Sequence, residues 1–202
     1  MRVLLFGLIF VHFYGYGQDT FTLKPKTISQ IKDFEKSLGS QIIGFRFFNP
    51  KYDLNYQKNI DVMDSVLIFK RTNDNFYPGL HTWYFYDKDS LVNLIYYHWG
   101  FYNTAFNFKE HPGLLEKQTK RYKEYSKKFN VIKKSVERLV KKKGKKINDN
   151  EYRWEIDSSI ILLLMRFDKK LRENPGGLGK SGDYKIELRI YFTSKEIAGD
   201  TF

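Results

Sequence analysis

The fold of this chain is limited most by one stretch, residues 109–146, which is amphipathic throughout. Its large side chains recur at alternating spacings of three and four, the pattern of a helix with one apolar stripe. The stripe comprises Leu115, Gln118, Tyr122, Tyr125, Phe129, Ile132, Val136 and Leu139. We predict a helix over residues 113–143, entered after Pro112 and ended by Gly144. At about 1.5 Å per residue it spans about 45 Å, enough to cross a small domain.

This apolar stripe can pack against a β-sheet or against a second helix. A two-stranded coiled coil prefers Ile, Val and Leu along its contact line. Tyr122, Tyr125 and Phe129 are bulky for that contact. The stripe therefore favours packing across a sheet, with a coiled-coil dimer as the alternative.

The positive charge of the chain is concentrated in the same stretch. The chain has 35 Lys and Arg residues and 23 Asp and Glu residues, a net charge of +12. Residues 109–146 hold 15 of the basic and 4 of the acidic residues. Outside this stretch, and with Arg2 set aside, 19 basic residues balance 19 acidic ones. The excess charge therefore belongs to one predicted element.

The predicted helix carries its basic residues opposite the apolar stripe. A rotation of about 100° per residue brings six of them to one face. They are Lys120, Lys123, Lys127, Lys134, Arg138 and Lys141. Three interpretations stay open: a solvated face that keeps the protein soluble, a contact surface for a polyanion, and cations that complement the helix dipole. A polyanion at this face could be lipopolysaccharide or another anionic envelope polymer, an acidic protein, or a nucleic acid.

The start of the chain predicts export. Residues 1–17 combine a positive residue, Arg2, with an apolar run and small residues before position 18, the pattern of a secretory signal peptide. We expect cleavage after Gly17, export to the periplasm or the secreted space, and a single mature domain over residues 18–202. The apolar run is too short to span a membrane, and no later segment predicts a transmembrane helix. An uncleaved N-terminal anchor is the alternative.

The chain contains no cysteine. This excludes disulfides, thiol nucleophiles, thiolate metal sites and a lipidated cysteine. A mature domain of about 185 residues is large enough to be held by its hydrophobic core alone.

The rest of the chain predicts an α+β domain without an internal repeat. A capping box at Thr27 and Gln30 begins a short N-terminal helix over residues 27–38. Apolar runs joined by tight turns predict a mostly antiparallel sheet of about seven strands. We expect the strand at 91–99 to be central because both its faces are apolar, and residues 160–165 to be the most buried. The predicted strands are 41–48, 65–71, 82–86, 91–99, 152–156, 160–167 and 184–192.

No motif in the chain predicts a catalytic residue, a cofactor or a metal site. Residues 175–181 approximate a phosphate-binding loop, but that pattern needs glycine where Asn174 stands and a helix where a strand is predicted. His81, His98 and His111 lack the close spacing of a local metal clamp, although a fold could assemble them in space.

Aromatic residues make up 18% of the chain, and a core without disulfides accounts for most of them. A few could instead form an exposed platform for sugar rings or a protein partner. The candidates are Tyr96, Tyr97, Trp99, Phe101 and Tyr102. A role in the core is the favoured interpretation of these residues.

Together these patterns favour a non-enzymatic binding module of the bacterial envelope or secreted space, with the basic face of helix 113–143 as its contact surface. The alternative is a small exported hydrolase whose acidic pair assembles only in the tertiary structure. Such an enzyme would show a cleft with two carboxylates, or with a carboxylate and His98. A third hypothesis assigns the lysines to solubility and the binding to an exposed sheet edge.

Overall fold

The computed structural model describes residues 21–47, 65–72, 74–77, 79–100, 117, 119–157, 159–170, 172–173 and 180–192. The predicted signal peptide, His111, Phe101 and Tyr102 lie outside these residues. Neither described helix combines the length and the apolar character needed to cross a membrane.

The described strands form one large antiparallel sheet and one small ribbon. They are β1 (Gln41–Phe47), β2 (Ser65–Arg71), β3 (Leu80–Tyr86), β4 (Val92–Gly100), β5 (Lys145–Asn148), β6 (Glu151–Ile156), β7 (Ser159–Phe167), β8 (Arg172–Glu173), β9 (Lys180–Ser181) and β10 (Tyr184–Phe192). Eight of them follow the order β1-β2-β3-β4-β10-β7-β6-β5, and β8 pairs with β9. The predicted α+β class and antiparallel sheet are confirmed, but the sheet has eight strands where about seven were predicted.

The sheet consists of two four-stranded meanders, each preceded by a helix. The first helix, α1 (Ile28–Ser37), leads into β1 to β4. The second, α2 (Tyr122–Val140), leads into β5, β6, β7 and β10. The pairing of β4 with β10 joins the two meanders. The architecture therefore repeats although the sequence shows no repeat, and it places β1 and β5 at opposite edges.

Helix α1 begins where the capping box predicts. The Thr27 hydroxyl accepts a hydrogen bond from the Gln30 backbone N–H, and the Gln30 side chain accepts one from the Thr27 N–H. Two backbone donors without helical partners are thereby satisfied. After the helix, Gly39 has a φ of 69°, which glycine adopts without steric cost.

Helix α2 covers Tyr122–Val140 of the predicted range 113–143, and residues 117 and 119 are also helical. A turn at Lys120 and Arg121 precedes its first residue, and the Arg121 side chain makes no capping bond. The helix ends at Val140 because Lys141 adopts a left-handed conformation with a φ of 52°. Residues 113–116 and 118 lie outside the described residues.

Four members of the predicted apolar stripe are buried on α2. They are Tyr125, Phe129, Ile132 and Val136. Tyr122 and Leu139, which the stripe also includes, are exposed. The buried face is therefore narrower than predicted and ends one turn before the C-terminus of the helix.

Strand β5 is the sheet strand that the sequence pattern missed. All four of its residues are exposed, and only Ile147 among them is apolar. It lies at the edge of the sheet with β6 as its single neighbour among the described strands. An edge strand of this kind lacks the apolar alternation that marks a half-buried strand.

Both helices pack on one face of the sheet and form the main core. Ile31 of α1 and Phe129 of α2 share a cluster with inward residues of six strands. A second cluster lies on the opposite face and comprises Val66, Ile68, Phe85, Leu94, Tyr96, Leu162 and Tyr191. Strand β4 contributes to both clusters and is buried from residue 94 to 100, as expected of a central strand. It is more buried than β7, where residues 160–165 were expected to be the most buried.

Candidate functional site

The six basic residues predicted as a contact surface, called the basic face below, are all solvent-exposed. Lys120 lies in the turn before α2 and Lys141 just after its end, while the other four lie on the helix. Within the described part of the chain, five of the six side chains form no ion pair or hydrogen bond. These five are Lys123, Lys127, Lys134, Arg138 and Lys141.

Other cations of α2 lie nearer the sheet and have acidic partners. The Lys128 ammonium is 3.3 Å from the Asp74 carboxylate, which also accepts a hydrogen bond from the Trp99 indole. The Lys133 ammonium is 3.9 Å from the Glu137 carboxylate. Lys128 and Lys133, nearer the sheet, therefore have acidic partners, whereas the solvent-facing cations of α2 have none among the described residues.

The C-terminal end of α2 is anchored to the sheet. The Lys142 ammonium donates to the Glu155 carbonyl oxygen of β6 at 2.9 Å. The Gly144 backbone N–H donates to the Glu137 carboxylate at 3.2 Å. Gly144 also lies against Trp154, where an added Cβ would stand 2.6 Å from the indole ring. The corner between α2 and β5 is thus closely packed, and it holds the C-terminal end of α2 in place against the sheet.

The aromatic platform predicted on β4 is not exposed. Tyr97 and Trp99 are fully buried, and the Phe21 ring packs edge-on against both, at centroid distances of 5.0 and 6.1 Å. Tyr96 is buried on the opposite face of the sheet. Phe21 and residues of both helices cover Tyr97 and Trp99, while Tyr96 packs among side chains of neighbouring strands on the other face.

Exposed aromatic rings occur instead beside the N-terminal end of α2. Tyr77 is 48% exposed and Tyr122 is 38% exposed. The Arg121 guanidinium carbon lies 5.6 Å from the Tyr77 ring centroid, and the Lys169 ammonium lies 4.7 Å from the Tyr122 ring centroid. Sequence patterns did not single out Tyr77 or Lys169, because only the folded chain brings them to this helix end.

A second group of polar side chains joins β4 to β10 on the face opposite the helices. Glu187 is 1% exposed, and its Oε1 accepts hydrogen bonds from the Tyr96 hydroxyl at 2.5 Å and the Lys185 ammonium at 2.7 Å. Its Oε2 accepts one from the Arg189 guanidinium at 2.5 Å. Burial alone would raise the pKa of Glu187, but Arg189 and Lys185 lower it to about 2. The Glu187 carboxylate is therefore ionised, and both of its oxygens accept hydrogen bonds.

His98 lies directly across from Glu187 in the β4–β10 register and across from His81 in the β3–β4 register. It is 7% exposed, and neither ring nitrogen has a hydrogen-bond partner among the described groups. Burial lowers the pKa of His98 to about 4, against the opposing effect of Glu187 and with the help of Lys185. Burial also lowers the pKa of His81. Both imidazoles are neutral at pH 7.

These groups do not form an acid–base pair. Glu187 accepts its bonds from Tyr96 and two cations rather than from His98, and its low pKa makes it a weak base. In the described part of the chain, no group of histidine and carboxylate side chains has the geometry to hold a metal ion. Lys185, Glu187 and Arg189 alternate along β10, a pattern that predicts a strand but not these contacts. The group ties the two meanders together.

The glycine-rich segment lacks the helix that phosphate binding requires. Its residues 174–179 lie outside the described residues. Lys180–Ser181 pairs with Arg172–Glu173, and the chain then enters β10 rather than a helix. Without a helix N-terminus, the phosphate-binding pattern has no structural counterpart here.

Comparisons with known proteins found no family model, curated protein or solved structure that matches the chain. Function is therefore inferred from the residues and their geometry.

Proposed function

We propose that the protein is a non-enzymatic binding module that contacts an anionic polymer through the basic face. One observation carries the proposal: within the described residues, five of the six exposed cations have no counter-charge. The sequence pattern of a signal peptide supports export, which places the partner among the anionic polymers of the envelope or secreted space. The same surface also suits an acidic protein.

The uncompensated charge is unfavourable for the isolated helix. Lys123 with Lys127, and Lys134 with Arg138, are like-charge pairs at i,i+4. Each costs a few tenths of a kcal/mol at low salt. A bound polyanion would relieve this repulsion and release its own counterions, and both effects favour association.

Helix α2 combines the two faces that such a module needs. Tyr125, Phe129 and Ile132 hold it on the sheet, so the opposite face has a fixed orientation. Lys127 and Lys134 are seven residues apart, which separates them by about 10 Å along the helix axis. A long basic amphipathic helix with a row of separated charges suits an extended polymer better than a small anion.

The test is retention of the protein on immobilised heparin in a salt gradient. We expect the variant K127E/K134E/R138E to elute at much lower salt than the wild type. The matched control is K24E/K32E/K36E, which changes three exposed lysines outside α2 by the same charge. Equal retention of both variants would contradict the proposal.

One observation favours the hydrolase alternative, namely the position of His98 across from Glu187. Against it stands the occupied carboxylate, which makes no bond to the imidazole. An NMR titration of His98 separates the two functions. A pKa near 4 agrees with a buried structural residue, whereas a pKa above about 6 would support general acid–base catalysis.

A further inference from the structure

Two exposed tyrosine rings beside the N-terminal end of α2 each have a cation next to them. The Lys169 ammonium lies 4.7 Å from the Tyr122 ring centroid, and Lys169 is itself exposed. The Arg121 guanidinium carbon lies 5.6 Å from the Tyr77 ring centroid. A cation at this distance is attracted to the ring face, so each ring and its cation form one unit. We call these units the two tyrosine–cation pairs.

Contacts to the body of the protein hold the Tyr122 ring and the Tyr77 backbone in place. The Tyr122 ring packs edge-on against Phe167 of β7, with 5.2 Å between centroids. The Arg121 guanidinium donates a hydrogen bond to the Tyr77 carbonyl oxygen at 2.8 Å. Rigid aromatic side chains supply contact area at a low cost in conformational entropy. The two tyrosine–cation pairs can therefore contact a ligand at a low cost in conformational entropy.

The close approach of ring and cation limits the chemistry of a ligand that would use both. Such a ligand needs a negative charge directly beside an apolar surface. In an acidic sugar residue the carboxylate is attached to the pyranose ring, whose C–H groups form an apolar face. In a nucleic acid the pentose separates each phosphate from its base, and a polyphosphate has no ring at all. The geometry therefore fits an acidic sugar best.

We propose that the two tyrosine–cation pairs bind acidic sugar residues of an anionic polysaccharide. This inference rests on the proposed function, because the basic face supplies the charge that attracts the same polymer. Lys123 of the basic face directly follows Tyr122 in the first turn of α2. The polysaccharide can thus run from Lys123 onto Tyr122 and Lys169, while the charge of Arg121 in the other pair is partly neutralised by its ion pair with Glu124.

The experiment compares three polyanions on the full-length chain by titration calorimetry. Polygalacturonate offers rings that carry their own charge, polyphosphate offers charge without rings, and oligothymidylate offers bases separated from phosphates. The variant Y77L/Y122L keeps apolar bulk but removes both rings, and Y77F/Y122F keeps the rings as a matched control. Thermal melts of each variant show whether the fold is intact.

We expect Y77L/Y122L to bind polygalacturonate about three- to tenfold more weakly than the wild type, with unchanged binding of polyphosphate and full affinity in Y77F/Y122F. Unchanged polygalacturonate binding by Y77L/Y122L would overturn the sugar site while the proposed function stands. A loss confined to oligothymidylate would overturn it in favour of a nucleic acid. Wild-type protein that binds none of the three would overturn the proposed function itself.

Discussion

At the scale of single residues, Glu35 of α1 carries the most buried charge of the helix-covered face. It is fully buried and accepts hydrogen bonds from the Arg71 Nη2 at 2.7 Å and from the Ser40 hydroxyl at 2.5 Å. The Tyr84 hydroxyl is a further donor to the same carboxylate. This network links α1 to β2 and β3. A buried ion pair adds little net stability, but removing one member leaves the other charge uncompensated.

We predict that E35Q lowers the free energy of unfolding by about 3 to 5 kcal/mol, because Arg71 stays buried but loses its ion pair with Glu35. Urea denaturation measures this loss. The matched control is E124Q, which breaks the more exposed ion pair with Arg121 and costs about 1 kcal/mol or less. Equal losses in the two variants would refute the role given to Glu35.

His98 makes the stability of the protein depend on pH. Its pKa is about 4 in the folded chain and about 6.5 when unfolded, so the unfolded chain binds more protons between these values. His98 therefore stabilises the fold fully above pH 6.5 or so, and this contribution of about 3 kcal/mol is lost as the pH falls towards 4. His81 acts in the same direction, because burial lowers its pKa too.

The test of this dependence is the variant H98F, unfolded with urea at several pH values. We expect its free energy of unfolding to fall less than that of the wild type between pH 7 and pH 4, by about 3 kcal/mol. The remaining slope comes from His81 and from carboxylates. Parallel curves for H98F and the wild type would show that His98 is not buried in its neutral form.

At the scale of elements, the end of α2 contains local strain. Lys141 has a φ of 52°, a conformation that residues other than Gly, Asn and Asp rarely adopt. We predict that K141G raises the free energy of unfolding by about 1 kcal/mol. K141A removes the charge but keeps the strain, so it should give no such gain. A gain from K141A equal to that from K141G would show that charge rather than strain is responsible.

G39A, at the matching end of α1, should destabilise the protein by about 1 kcal/mol because Gly39 has a φ of 69°.

Elements with a local sequence signal were predicted well. Ser65–Arg71 and Tyr184–Phe192 match the predicted strands, and the Thr27 capping box begins α1 as expected. Strand β5 was missed because a solvated edge strand has no apolar face. The turn at Lys120 and Arg121 was not predicted, because the stripe of large side chains continues through it.

Sites that depend on tertiary contacts could not be read from local patterns. Tyr97 and Trp99 gave the same aromatic signal as a platform would, and only the order of the strands shows that they are buried. The tyrosine–cation pair of Tyr122 and Lys169 joins an element end to a loop that follows β7. Helical spacing accounts for the exposure of Lys123, Lys127, Lys134 and Arg138 on α2, because that property follows from a single element.

At the scale of the whole molecule, charge is distributed unevenly over the sheet. The basic helix α2 leads into β5, which adds two lysines at one edge of the sheet, while β1 lies at the opposite edge. The residues outside 109–146 are close to electrically balanced once Arg2 is set aside. Most of the excess positive charge therefore lies in and around α2, and the proposed binding of a polyanion there should be sensitive to salt.

The central claim is tested most directly by the salt dependence of heparin affinity. Affinity falls as salt rises, so the slope of log K against log salt is negative, and each cation that contacts the polymer increases its magnitude by about one. We predict that K127Q/K134Q/R138Q reduces this magnitude by about 2 to 3, whereas K24Q/K32Q/K36Q leaves it unchanged. Equal slopes for the first variant and the wild type would contradict the claim that the basic face is the contact surface.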